Sequence, residues 1–481
     1  MEFYGESPQY VITPSGGSVL KDFASRVDKI VAASIDRYMW GKGFQKVESL
    51  GCYEKTRNGG VGESKNYVRV TVPDANGKGG GLVTSYGNYF YSESTHNYAA
   101  DFETIRNNIL HEFKPVKSLP VIGEIEAVEA KLDRVRNDLT VNVTSSDDRA
   151  TDVASKIETI QSLDKHILGG QYAELTSQVT NRIPKVVNAI GAVVACLLSV
   201  VRAEKEALIT FRNDLGNAMD KLVEELNNHD SSVTLAEVFA VVGWAFEAAT
   251  VVGTGGTSAI AKFAVNTVSS VCSISYSATK KDATASGIGW GIDAGPNAVR
   301  QLLVSRKAGG SVSAALFETE EQLAVFVNTT NGVVINDPRP YDLEPFVMQG
   351  KASGMAVERL DTVWSIADKS FPALTGILRG AAQTLAGATL STALSRSWEV
   401  GRGISGAAPE YNQLNSFVID ALNALADELD EVADSLKKYV TDLDSTETES
   451  SAALRAVAND LHPKLPSVYS DALYSEKWHR Q

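Results

Sequence analysis

Cysteine and histidine are scarce in this sequence, and neither is spaced as metal ligands usually are. The 481 residues include three cysteines and six histidines. No two cysteines form a CxxC pair and no histidines form an HxxxH or HExxH pattern, so zinc ligation lacks its usual signature. Cys196 and Cys272 lie in apolar runs that are typical of buried thiols. We therefore expect no bound metal and no cofactor.

Positive charge is also in short supply. The chain has 45 Lys and Arg against 59 Asp and Glu, which gives a net charge of −14. A nucleic-acid-binding protein generally needs a basic footprint for the phosphates. Docking on anionic lipid by charge alone needs a basic surface as well. The composition argues against both modes of binding, and we expect no nucleic-acid partner.

The sequence lacks a long uninterrupted apolar run. The most apolar stretch, residues 186–201, contains Asn188 and is shorter than the about 20 residues that a membrane-spanning helix needs. A second stretch, residues 235–252, is interrupted by Glu237 and Glu247. The N-terminus has neither the basic nor the apolar region of a usual secretory signal peptide. These features favour buried core helices.

Sequence motifs for catalysis are absent too. There is no GxSxG, and the glycine-rich stretch 77–81 lacks the GxxxxGK[ST] spacing of a phosphate loop. Gly401, Gly403 and Gly406 match GxGxxG, but they follow a predicted helix, whereas a dinucleotide-binding turn follows a strand. The acidic residues cluster on helix faces, where solvation explains them. We therefore predict that the protein is not an enzyme.

The dominant feature that the sequence does contain is an amphipathic stretch, residues 414–443. Apolar residues recur there at steps of three and four, and the opposite face is acidic or polar. A helix of this length measures about 45 Å and needs a partner for its apolar stripe. The stripe residues that we expect to carry this packing are Leu425, Leu429, Val432, Leu436 and Tyr439.

The remaining patterns predict a mainly α protein, an elongated helical bundle of long α-hairpins with a small N-terminal α/β domain and a short α/β insertion. Residues 1–115 combine a helix with strand-like segments. Residues 116–281 are predicted to form long helical hairpins, including an apolar hairpin over 233–280. Residues 282–350 form the Gly- and Pro-rich α/β insertion or linker, and residues 351–481 a helical hairpin with a C-terminal tail.

The sequence also predicts the local structure of three shorter segments. Leu168, Gly169 and Gly170 are expected to form the turn of a helical hairpin. Short strands are expected at 323–327 and 333–335, because the sequence between them is typical of a β-hairpin turn. A helix is expected from about 371 to 397, followed by a turn over 398–403.

The helical hairpin of residues 352–461 resembles the WXG100, or ESAT-6-like, family. The resemblance rests on a Trp–Gly turn, Trp398 and Gly401, between a helix rich in small residues and a helix that ends near Tyr439 and several acids. Gly401 follows Trp398 by three positions, whereas the family motif has a single residue between them. Members of this family are substrates or partners of type VII secretion in Gram-positive bacteria.

The resemblance implies a non-enzymatic helical interaction protein that acts through helix–helix assembly. It implies a secreted or cell-surface location without a classical signal peptide, after synthesis in the cytoplasm. Protein partners or self-assembly through the long helices would follow, with Trp398 and Gly401 at the recognition end. The alternative is an α-helical pore-forming toxin, whose apolar hairpin 233–280 inserts into a membrane after rearrangement.

Overall fold

A computed structural model gives the architecture of the chain. It describes residues 22–57, 66–139, 141, 152–169, 175–228, 244–245, 275–276, 288–304, 312–343, 355–357 and 359–461. The described part is mainly helical, with one small antiparallel sheet near the N-terminus, as the sequence predicts. The arrangement of the helices as an elongated bundle of long hairpins stays a prediction.

The N-terminal region pairs helices with the sheet. Helix α1 is Phe23–Gly41, and four antiparallel strands follow in the order β1-β2-β3-β4. The strands and the two helices after them are β1 Gln45–Val47, β2 Cys52–Arg57, β3 Asn66–Thr71, β4 Val83–Tyr86, α2 Tyr91–Ser94 and α3 Tyr98–Glu112. Val68 and Val70 alternate with less buried neighbours along β3, which is the pattern of a sheet with one buried face.

Helices make up most of the rest. Their bounds are α4 Ile122–Asp138, α5 Asp152–Gln161, α6 Ile183–Asn227, α7 Ala294–Val304, α8 Val312–Asn336, α9 Leu360–Ser365, α10 Phe371–Ala386 and α11 Ala408–Leu461. Two short ladders join β5 Ile167–Gly169 to β8 Met355–Val357, and β6 Trp244–Ala245 to β7 Ser275–Tyr276.

The chain divides into two compact units, each built from separate stretches of sequence. The first comprises Met1–Val135, Ala192–Asp337 and Thr384–Phe417. The second comprises Arg136–Gly191, Pro338–Gln383 and Val418–Gln481. The four-part division expected from the sequence stays a prediction, since compactness groups stretches that are far apart in the chain.

A buried arginine ties the first unit together at the end of α6. The Arg37 guanidinium donates to the carbonyl oxygens of Asn228 and Ile288, at 2.8 and 2.7 Å, and to that of Gly289 at 3.0 Å. It also lies over the ring of Trp290, 4.2 Å from the centroid. One side chain thus binds the backbone where the chain leaves α6 and where its described part resumes before α7.

Three local predictions are wrong. The expected strands at 323–327 and 333–335 are part of the single helix α8, because its apolar residues pack at helical spacing and override the local turn signal. Leu168 and Gly169 of the expected hairpin turn lie in strand β5, which pairs with the distant strand β8, and residue 170 lies outside the described residues. The helix expected to reach 397 ends at Ala386. The apolar hairpin 233–280 lies outside the described residues, apart from β6 and β7.

Candidate functional site

The connection between α10 and α11, residues 387–407, is the most distinctive part of the first unit. It contains the turn expected at 398–403 but is longer, because α10 ends at Ala386. Its central turn is closed by the Arg396 N–H, which donates to the Ile404 carbonyl at 3.0 Å. Trp398 lies within this turn and Ile404 is its last residue. The exposed fractions of Trp398 and Ile404 are 64% and 63%. The connection therefore presents two large apolar side chains to solvent.

The first turns of α11 hold the start of the connection. Tyr411 Oη donates to the Ala388 carbonyl at 2.8 Å, and Asn415 Nδ2 donates to the Leu385 carbonyl at 2.9 Å. The Leu390 N–H donates to Asn412 Oδ1 at 3.2 Å. These bonds join backbone groups at the end of α10 and at the start of the connection to side chains of α11. The connection is consequently an ordered segment, although it lacks regular secondary structure.

An ion pair lies beneath the central turn. Arg396 binds Glu320 of α8 through Nη2 and Oε1, and neither side chain is exposed to solvent. The Arg396 Nε donates to the carbonyl of Val400 at 3.0 Å, so the same guanidinium also holds the turn backbone. Buried charges need both a counter-ion and further hydrogen bonds to offset their desolvation, and Arg396 has both here.

A second carboxylate, Glu204 of α6, meets this pair. Glu204 is completely buried, and its carboxyl lies beside that of Glu320, so that each acid acts on the other. The Ala407 N–H donates to Glu204 Oε1 at 3.0 Å, while the Arg402 N–H donates to Glu320 Oε2 at 2.6 Å. Among the described residues, Glu204 Oε2 accepts no hydrogen bond from a protein donor. Two carboxyl groups thus occupy one buried site with a single buried arginine.

Two glycines lie against the carboxyl groups, and their lack of a side chain leaves space for the acids. Gly401 has a φ of +64°, and a Cβ there would lie 2.4 Å from Glu320 Oε2. Gly406 has a φ of +54°, and a Cβ there would lie 3.0 Å from Glu204 Oε1 and 3.2 Å from Glu320 Oε1. Glycine tolerates this backbone region and permits close approach. The turn therefore requires glycine where it contacts the acids.

A surface arginine extends the network outward. Arg402 binds Glu410 of α11 through both guanidinium Nη atoms, at 3.0 and 2.7 Å. Its Nε contacts Glu321 of α8 at 2.6 Å. The hydrogen bonds with Glu410 and Glu321 raise the pKa of Arg402. Because these two carboxylates already engage the guanidinium, Arg396 is the main counter-charge for the buried acids.

The protonation of the buried pair follows from this geometry. Burial and the neighbouring charge of Glu204 raise the pKa of Glu320 to about 8, whereas Arg396 opposes the shift. Burial also raises the pKa of Glu204, again against the effect of Arg396. Two carboxylates that share a buried site cannot both ionise easily, so the geometry disfavours the doubly ionised pair.

The interaction residues predicted from the sequence are divided between the two units. Trp398 and Gly401 lie in the connection, Trp398 exposed and Gly401 against Glu320. All the stripe residues are buried within the chain, and they belong to the part of α11 that lies in the second unit. They are Leu425, Leu429, Val432, Leu436 and Tyr439. Trp398 and Gly401 thus belong to the first unit, and the stripe residues belong to the second.

Sequence reasoning missed Glu204, Glu320 and Arg396. The sequence did contain a signal for the two acids, because each occupies a position in an otherwise apolar, buried helical stripe. Glu204 follows Leu197 and Val201 and precedes Leu208 at helical spacing, and all four side chains are buried. A lone acid at a stripe position indicates a buried partner. Nothing local to the sequence identifies that partner as Arg396.

In comparisons with known proteins, no family model, no curated protein and no solved structure matches the chain. Within the described residues, no group of three or more His, Cys, Asp or Glu side chains could hold a metal ion. The acid pair is sealed from solvent, so a substrate has no route to it in this conformation. The arrangement can hold a proton and can fix the position of the connection.

Proposed function

We propose that the protein is a non-enzymatic helical interaction protein and that the α10–α11 connection is its recognition surface. One observation carries the proposal: Trp398 and Ile404 are exposed on a segment that a buried ion pair fixes from beneath. Tryptophan is enriched among the residues that dominate protein–protein binding. A pre-ordered loop also loses less conformational entropy when a partner binds.

The burial of the α11 stripe supports this location for the surface. Its apolar side chains already contact the rest of the chain, so they contribute to the protein's own core. A partner that needed them would have to displace existing packing. Trp398 and Ile404 instead expose more than half of their surfaces to solvent. We therefore assign partner binding to Trp398 and Ile404 and folding to the stripe.

The family resemblance gives the proposal a setting. A WXG100-like chain would be exported through, or assembled with, a type VII secretion system, and its partner would be a helical protein with an apolar groove. Export is tested by following the protein in culture fractions. Its presence outside the cell, lost when residues 462–481 are removed, supports this role. Detection in the cytosol alone contradicts it.

Site-specific photo-crosslinking tests the recognition surface. Benzoylphenylalanine in place of Trp398 should give a discrete covalent adduct in the cells that make the protein. The same probe at Tyr91, which is exposed but belongs to the N-terminal region, is the matched control. An adduct at 398 that is absent at 91 supports the proposal. Equal adducts at both positions, or none at 398, contradict it.

A pore-forming protein is the second candidate, and two observations favour it. Helix α6 contains an 18-residue window with a mean hydropathy of 2.1, of which 67% is buried; core helices of soluble proteins reach similar values. Strands β6 and β7 pair at the two sides of residues 246–274, whose sequence is largely apolar. Leakage of dye from liposomes tests this candidate. Retention of the dye across pH and lipid composition dismisses it.

A further inference from the structure

The buried acids beneath the connection are connected directly to the surface that we assign to partner binding. Glu204 and Glu320 accept the backbone N–H groups of Ala407 and Arg402. These two bonds fix the end of the connection that follows Trp398. Any change in the charge of the acid pair therefore acts on the segment that carries the exposed side chains.

The charges around the pair do not balance when both acids are ionised. Arg396 is the one fully buried cation that binds them, and its Nη1 has no hydrogen-bond partner among the described residues. On the neighbouring elements, Arg402 is engaged by Glu321 and Glu410. Lys205 of α6 is bound to Glu129 of α4 at 2.6 Å. Two ionised acids would leave an uncompensated negative charge in a site without water access.

We propose that Glu204 and Glu320 share a single proton that locks the α10–α11 connection, and that loss of this proton as pH rises releases it. The inference rests on the proposed function, in which this connection is the recognition surface. The protonated carboxyl donates to the other carboxylate, whose remaining charge is balanced by Arg396. When the proton leaves, repulsion between the acids favours an open conformation in which water reaches them.

The direction of the pH dependence follows from proton linkage. In the open conformation the acids are in water, and their pKa returns towards the ordinary value for glutamic acid, about 4.3. The locked conformation therefore binds more protons than the open one between this value and about 8. The lock is fully present below this range, weakens as pH rises through it, and stops changing above it.

Hydrogen–deuterium exchange on the free, full-length chain tests the proposal. The protection of the Arg402 and Ala407 amides, corrected for the intrinsic exchange rate at each pH, should fall by up to about tenfold per pH unit between pH 5 and 8. Amides of strand β3, far from the acids in sequence, serve as the internal control and should show a smaller slope. A flat profile at Arg402 and Ala407 overturns the proposal.

Two variants sharpen the test. Glu204→Gln keeps the shape of the side chain and mimics the protonated acid, so protection at Arg402 should become independent of pH. Glu318→Gln, which removes an exposed acid on the same helix as Glu320, should leave the slope unchanged. Retention of the wild-type slope in Glu204→Gln overturns the proposal even if the wild-type slope is as expected.

The experiment separates this inference from the proposed function. Exchange is measured without a partner, so a flat profile removes the proton lock and leaves the crosslinking result at position 398 as it stands. A sloping profile without any crosslink at 398 supports the lock and contradicts the recognition surface. If Glu204→Gln does not fold, the wild-type slope, compared with that of the β3 amides, still decides the question.

Discussion

Arg396 and Glu320 form an ion pair in which neither side chain is exposed, directly beneath a turn that exposes Trp398. The pair links α8 to the connection between α10 and α11. A buried pair often contributes little net stability compared with apolar packing, but removal of one partner is costly. Its position indicates that it specifies the conformation of the turn.

The first prediction concerns Arg396. Arg396→Ala leaves Glu320 and Glu204 without their buried cation, and we expect a loss of about 3–5 kcal/mol in the free energy of unfolding. Arg379→Ala is the control, because Arg379 binds Asp427 at the surface with 45% and 69% of the two side chains exposed. An exposed pair contributes about 0–1 kcal/mol. Urea denaturation measures both. Equal losses would contradict the assigned role.

The second prediction compares two glycines of the same turn. Gly403→Ala adds a Cβ at a φ of +79° with nothing within 4 Å, so it should lose about 1–2 kcal/mol through backbone strain alone. Gly401→Ala adds the same strain and a 2.4 Å approach to Glu320, and should lose about 1–3 kcal/mol more. Thermal denaturation of the two variants measures the difference. Similar melting temperatures would show that the turn can move away from the acid.

The third prediction concerns Arg37. Arg37→Lys keeps the charge but cannot reach the carbonyls of Asn228, Ile288 and Gly289 together, because a lysine lacks the planar fork of donors. The buried Ile288 carbonyl would lose its donor, whereas Asn228 and Gly289 are exposed to water, so the free energy of unfolding should fall by about 1–3 kcal/mol. Arg300→Lys, at an ion pair with Glu112 in which 62% of the arginine side chain is exposed, is the control and should change it by less than about 1 kcal/mol. An unchanged free energy of unfolding in Arg37→Lys would contradict a stabilising role for the bonds between Arg37 and these carbonyls.

A fourth prediction concerns pH and the second unit. Burial raises the pKa of Glu428 to about 8, and the hydrogen bond and charge of Asp342 act in the same direction. This contribution to stability is present below the ordinary pKa of a glutamate and is lost as pH rises towards 8. Glu428→Gln should therefore weaken the fall in melting temperature between pH 5 and 8.5. The exposed neighbour variant Asp427→Asn should leave that fall unchanged, and an unchanged fall in Glu428→Gln would contradict the prediction.

Hydrophobic periodicity predicted the helices well, because burial of an apolar stripe is a local and repetitive signal. The stretch 414–443 lies within α11, and its stripe is buried. The local turn signal failed at 323–335, where Asn and Gly between two apolar groups suggested a hairpin. Packing of Leu323, Val327 and Val334 on one helical face outweighs that local preference. Local turn chemistry is therefore a weaker guide than periodicity here.

The candidate site was only partly predictable. Trp398 and Gly401 were singled out from the sequence as a turn, and the structure places them in one. Position 401 requires a glycine because a Cβ there would approach Glu320, about eighty positions earlier in the chain. Such long-range pairs have no sequence signature in a single chain. The acids in the stripes of α6 and α8 indicate buried partners without identifying them.

The central claim is that the buried acids and Arg396, not Trp398 itself, order the recognition surface. The most direct test is the amide protection of Arg402 and Ala407 in two variants at one pH. We predict wild-type protection in Trp398→Ala, because that side chain is largely exposed, and loss of protection in Arg396→Ala while the β3 amides remain protected. Loss of protection in Trp398→Ala, with retention in Arg396→Ala, would contradict the account.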